Sequence, residues 1–158
     1  MDISVYGTKN KKLIRDLSEA AEFYANILLD PRMVRSIELD IEIERSLEFE
    51  GMMISEDDKK NPRFFTIQLR NKKDDDDIFK TLAHEMVHLK QYAKNQLYKK
   101  FAPTKNKKGE TLYTLWEGNI WKPKRNEHKY FDSPWEVEAF GREVGMFHRW
   151  IEYKNYVS

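Results

Sequence analysis

Residues 78–89 read IFKTLAHEMVHL, and the spacing inside this stretch decides the fold. Ile78, Phe79, Leu82, Met86, Val87 and Leu89 recur at helical intervals. They follow the run Asp74–Asp77, whose negative charge suits a helix N-terminus. The spacing predicts one long, central helix from about Asp76 to Lys100. His84 and His88 stand four residues apart, so on a helix both imidazoles share a face and can point at one ion. Neutral imidazole nitrogens at about 2.0–2.1 Å suit Zn²⁺, which prefers four tetrahedral ligands. Glu85, next to the first His, is placed to orient a water and accept its proton.

On the N-terminal side, Leu13, Ile14, Leu17, Ala20, Ala21, Tyr24, Ile27 and Leu28 form the apolar stripe of a helix over 11–29, which Asp30-Pro31 ends. The period then changes to two. Ile37, Leu39, Ile41 and Ile43 alternate with Glu38, Asp40, Glu42 and Glu44, a strand with one buried and one wet face. Leu47–Ile54 reads as a second strand with a bulge or bend at Gly51, and Arg63–Leu69 as a third. On the C-terminal side, Ala102–Glu110 reads as a flexible loop, and Thr111–Trp121 as a hairpin turning at Glu117-Gly118-Asn119. Ser133-Pro134 supplies an N-cap and first-turn proline for a last helix over about Pro134–Tyr153. The order predicts a single α+β domain over residues 1–158, with a small, mostly antiparallel sheet packed on the His-bearing helix and a second helix.

Composition narrows the function classes. A chain of 158 residues with 40% apolar content can build a core, and a mean hydropathy of −0.81 with no long apolar run predicts no membrane span. Zero Cys removes disulfides, thiol nucleophiles and thiolate metal ligands, and with no apolar leader visible the expected location is cytoplasmic. Charge is uneven. Residues 36–58 hold nine acids against Arg45 alone, whereas 89–129 hold eleven Lys or Arg against Glu110, Glu117 and Glu127. The 90–129 segment is therefore a candidate nucleic-acid contact, set against the plainer reading of two solvated faces. Nothing in the sequence sets the oligomeric state.

A catalytic zinc site needs a third protein ligand and an open fourth position. Glu136, Glu138, Glu143, His128 and His148 are the candidates. Glu136, Phe140, Glu143 and Phe147 share one face of the last helix, and two Phe there turn that face inward. An inward carboxylate needs a cation or hydrogen-bond partners, and a metal site would supply the cation, so Glu136 is the expected ligand, with Glu138 and His128 as alternatives. Glu143 would then bond the outer nitrogen of a ligating His. Tyr130 and His128, just before this helix, are expected as oxyanion donors ahead of Tyr113 and Arg142. Trp116, Trp121 and Trp135 read as packing, and His148 as a structural residue near a helix C-terminus.

Thr81-Leu82-Ala83-His84-Glu85-Met86-Val87-His88 resembles the metal-binding helix of zincin metallopeptidases, and its Leu-x-His-Glu-Met core is similar to SprT-like proteins. Glu136-Val137-Glu138-Ala139 resembles the Glu-x-x-Ala element by which gluzincins supply their third ligand, and the Glu-x-Glu-Ala of ImmA/IrrE-like peptidases, whose first Glu falls on Glu136. No His follows soon after His88 as in SprT-like proteins, and Phe140 stands where gluzincins often carry Asp or Asn. The resemblance implies a zincin-like metallopeptidase with one Zn²⁺ per chain, held by His84, His88 and Glu136, acting on a peptide or protein substrate. It also implies that Phe65–Leu69 is an edge strand aligning that substrate. A non-catalytic or nucleic-acid-associated zinc protein on the same fold is the alternative.

Overall fold

The computed structural model describes residues 1–71, 77–104 and 109–158, and the backbone of 75 and 76. The elements in order are β1 (Asp2–Tyr6), α1 (Lys11–Leu28), α2 (Pro31–Ser36), β2 (Glu38–Glu44), β3 (Gly51–Ser55), β4 (Phe64–Arg70), α3 (Asp75–Ala93), β5 (Leu97–Pro103), β6 (Glu110–Trp116), β7 (Asn119–Ile120) and α4 (Pro134–Val157). This is an α+β chain, as its pattern of periods predicts.

The first helix forms where its stripe and cap agree. Asn10 Oδ1 accepts from the amides of Lys12 and Leu13, and Leu17, Ala20, Ala21, Tyr24 and Leu28 are buried. Asp30 and Pro31 end that helix, but they also start α2, with the Asp30 carboxylate accepting from Arg32 and Met33. The sequence reading missed both α2 and β1.

The missed first strand changes the sheet. Its order is β1-β2-β4-β3, with β1 and β4 both parallel to β2 and only β3 antiparallel to its neighbour. The expected mostly antiparallel sheet is therefore mixed, because α1 and α2 carry the chain from β1 across to a parallel β2. Leu39, Ile41 and Ile43 of β2 are buried together with Phe65, Ile67 and Leu69 of β4, while β2 leaves its alternating acids on the other face. The segment Phe65–Leu69, expected at an edge, is interior, and the edges are β1 and β3.

The third helix is central, touching α1, α4, β3 and β4. Trp150 of α4, almost completely buried, joins the three helices through Phe23, Tyr24 and Phe79, with ring centroids 5.7, 6.5 and 6.1 Å away. Rather than continuing to Lys100, α3 stops at Ala93, because Asn95 adopts φ 56° and the chain turns into β5. The pairing of β5 with β6 takes in Ala102, Pro103 and Glu110 of the expected loop, and residues 105–108 of it lie outside the described residues. Most of Asp74–Asp77 does too. The β6–β7 turn is at Glu117-Gly118, both with positive φ. At Ser133 the hydroxyl makes no cap; it donates to the Tyr130 carbonyl at 2.6 Å.

Candidate metal centre

Two elements build the site. His84, Glu85 and His88 occupy the face of α3 that meets the first turns of α4 and the edge strand β3, and Glu136 enters from α4. The buried face of α4 is Glu136, Ala139, Met146 and Trp150. Phe140 is exposed and Phe147 only half-buried, so the two Phe do not define the inward face. Phe140 instead sets its ring edge-on to His84, with centroids 4.6 Å apart.

Four polar atoms of three side chains converge. His84 Nε2 lies 3.2 Å from Glu136 Oε2, His88 Nε2 lies 3.2 Å from Glu136 Oε1, and the two Nε2 atoms are 3.2 Å apart. The outer nitrogens show which atoms carry protons. His84 Nδ1 is 2.7 Å from the Glu143 carboxylate, which can only accept, so this nitrogen donates. His88 Nδ1 is 2.8 Å from the side-chain carbonyl of Gln91 and donates to it. In their neutral forms both imidazoles therefore turn lone pairs inward, towards each other and towards a carboxylate. A proton or a metal cation can balance such a cluster. Ligands about 2.0–2.1 Å from a tetrahedral ion are separated by about 3.3 Å, close to the 3.2 Å between the two imidazole nitrogens and from each of them to one Glu136 oxygen. His84, His88 and Glu136 can thus hold a metal ion, and their donor atoms all lie within 4.8 Å of one another.

The electrostatics reflect the same crowding. Burial disfavours charge on His84, yet the hydrogen bonds to Glu136 and Glu143 outweigh it and raise the imidazole to about 9. Burial pushes the Glu136 carboxyl up, and the two histidines more than reverse this, to about 2. Glu85 is buried, and desolvation raises its pKa above the ordinary carboxylate value against the pull of both histidines and of the Met53 amide.

The other candidates lie elsewhere. Glu138 is turned to the ammonium of Lys90, at 2.6 and 2.7 Å, and to Gln91 at 2.8 Å. His128 is exposed and accepts through Nδ1 from the amides of Tyr130 and Phe131, so it caps a turn. His148 is exposed and mid-helix, since α4 continues to Val157. Tyr113 lines a separate groove of about 460 Å³. Tyr130 does reach the centre. It lines both clefts flanking it, and burial with the facing Glu136 and Glu85 carboxylates pushes its hydroxyl up to about 12. Trp121 and Trp116 pack on Trp135, with centroids 5.0 and 6.3 Å away.

Sequence reading missed three contributors. Gln91, Phe49 and the backbone of Gly51 all border the centre. A helical signal existed for Gln91, which follows His88 by three residues; the other two reach the site only through the fold. No protein-family model, no curated protein and no solved structure matches this chain. Among the described residues, no helix is long and apolar enough to cross a membrane.

Proposed function

We propose that this protein is a zinc-dependent metallopeptidase of zincin type, with His84, His88 and Glu136 as ligands and Glu85 as general base. One observation carries the reading: two imidazole nitrogens 3.2 Å apart, each 3.2 Å from an oxygen of the Glu136 carboxylate, with Glu85 beside the histidines on their helix. A bound Zn²⁺ would supply a Lewis acid that polarises a carbonyl and acidifies a water. Glu85 takes the proton of the attacking water and passes it to the leaving amine, and burial, by raising its pKa, makes it a stronger base than an exposed carboxylate. Tyr130, protonated at neutral pH, donates to the oxygen on which charge develops. The edge strand β3 runs along the cleft, and an extended peptide would add to its free edge.

The test is metal content and turnover in the same samples. Wild type should bind one zinc per chain, His88→Ala and Glu136→Ala should lose it, and Glu85→Gln should keep it while losing about 10²-fold or more in peptide hydrolysis. Full activity in Glu85→Gln would sink the mechanism, and a wild type that takes up no zinc would sink the site.

A second reading, binding of single-stranded nucleic acid, is favoured by the groove beside β6. Tyr113, Trp121, Trp135, Lys122 and Lys129 line it, with no carboxylate among its described residues. Its test is oligonucleotide binding that weakens steeply with salt.

A further inference from the structure

The outer nitrogen of His88 is held by a different kind of group from that of His84. Gln91 is completely buried between α3 and α4. Its Nε2 lies 2.9 Å from the Trp135 carbonyl and 2.8 Å from Glu138 Oε1. Both partners only accept, so the amide has one permitted orientation: NH₂ toward α4 and carbonyl toward His88. That carbonyl, 2.8 Å from His88 Nδ1, requires a proton there. A neutral imidazole carries one proton, so Nε2 is left as a lone pair facing Glu136.

Glu138 is the second of the two acceptors that hold this orientation, beside the Trp135 carbonyl. Lys90, whose side chain is only 6% exposed, holds Glu138 through both oxygens and gives its remaining proton to Gln96 Oε1 at 2.8 Å. The network closes, with every buried polar side-chain atom in it partnered.

We propose that Lys90 and Glu138 are positioning residues for the zinc-facing nitrogen of His88, acting through Gln91. The proposal rests on His84, His88 and Glu136 being metal ligands. In Glu138→Met, Gln91 keeps only the Trp135 carbonyl as an acceptor and Lys90 loses its carboxylate. The loosened Gln91 amide is then free to turn, placing its NH₂ on His88 Nδ1 and shifting the imidazole proton to Nε2. Gln91→Met removes the acceptor altogether.

The experiment reads the His88 tautomer by long-range ¹⁵N–¹H correlation in the metal-free protein, in mildly alkaline buffer, and zinc affinity by competition with a chromophoric chelator. Wild type should show the Nδ1–H tautomer. Gln91→Met and Glu138→Met should move it towards Nε2–H and weaken zinc about 10- to 100-fold. Lys154→Met, which breaks a different α4 ion pair, should change neither. A wild-type Nε2–H tautomer would overturn the proposal, as would variants that bind zinc like wild type. Weakened zinc with Nδ1–H intact would reduce the network to a helix–helix staple and overturn it as well. A wild type that takes up no zinc would refute the metal reading, and the tautomer would still decide the role of Gln91 and its partners.

Discussion

The backbone of Gly51 lies against the side chain of Glu85. A Cβ built on Gly51 would stand 3.2 Å from both Cγ and Oε1 of Glu85 and 2.7 Å from Cγ2 of Thr81. The glycine lets edge strand β3 approach α3 closely, in regular pairing with Leu69 and without the expected bulge. Thr81 is β-branched and stiff, so it cannot yield by rotating. Gly51→Ala should therefore displace β3 or Glu85 and cut kcat/KM about 10- to 100-fold with zinc content unchanged. Parallel metal and peptidase assays check this; undiminished activity would show that the contact does not position the base.

Glu143 sits two turns along α4 from Glu136 and accepts from His84 Nδ1 at 2.7 Å. Glu143→Ala should weaken zinc about 10- to 100-fold by freeing the His84 ring and lowering its basicity. Chelator competition measures it, and wild-type affinity would remove Glu143 from the site.

Tyr130→Phe should retain zinc and lower kcat about 10- to 10²-fold with little change in KM. A change confined to KM would make Tyr130 a contact for the bound peptide and not for the developing charge.

The ends of the first and last helices are joined by a charge cluster whose strength depends on pH. Asp16 Oδ1 lies 3.1 Å from Lys154 Nζ, which is also 2.8 Å from Glu19. Burial raises the Asp16 pKa, but Lys154 and Lys12 outweigh it, so the folded pKa lies below the unfolded one. A depressed carboxyl stabilises fully above the unfolded value near 3.8, and the contribution fades as pH falls through the folded pKa. Asp16→Asn should therefore cost about 1 kcal/mol at neutral pH, with the gap from wild type closing as pH falls below the unfolded value near 3.8. Thermal melts across pH test this, and a gap that persists in acid would assign the loss to packing.

How much the sequence disclosed depended on whether the signal was local. The first helix was legible because its Asn10 cap and apolar stripe lie within one segment, and β2 because its alternation is strict. The shared face of His84 and His88 followed from helical spacing alone. The end of α3 did not, since it depends on one left-handed residue, Asn95, in a stretch that suits helix or strand equally. The inward face of α4 was misread through Phe140 and Phe147, although Ala139, Met146 and Trp150 carried the true stripe. That Glu136 turns to the histidines and Glu138 to Lys90 was set by the rotation of α4 against α3, which no local pattern encodes. The first strand escaped notice because five residues, Asp2–Tyr6, gain their meaning only beside β2.

His84 and Glu136 lie 52 positions apart, and the intervening chain contains all of β5, β6 and β7. An ion gripped at both ends of that segment would act as a removable cross-link in a chain that has no cysteine to make a permanent one. Unlike a disulfide, it would act on the folded state alone, stabilising it by mass action because the unfolded chain does not hold the three ligands together. Metal supply would then govern how long the β5–β7 arm survives a protease as well as whether the centre is loaded.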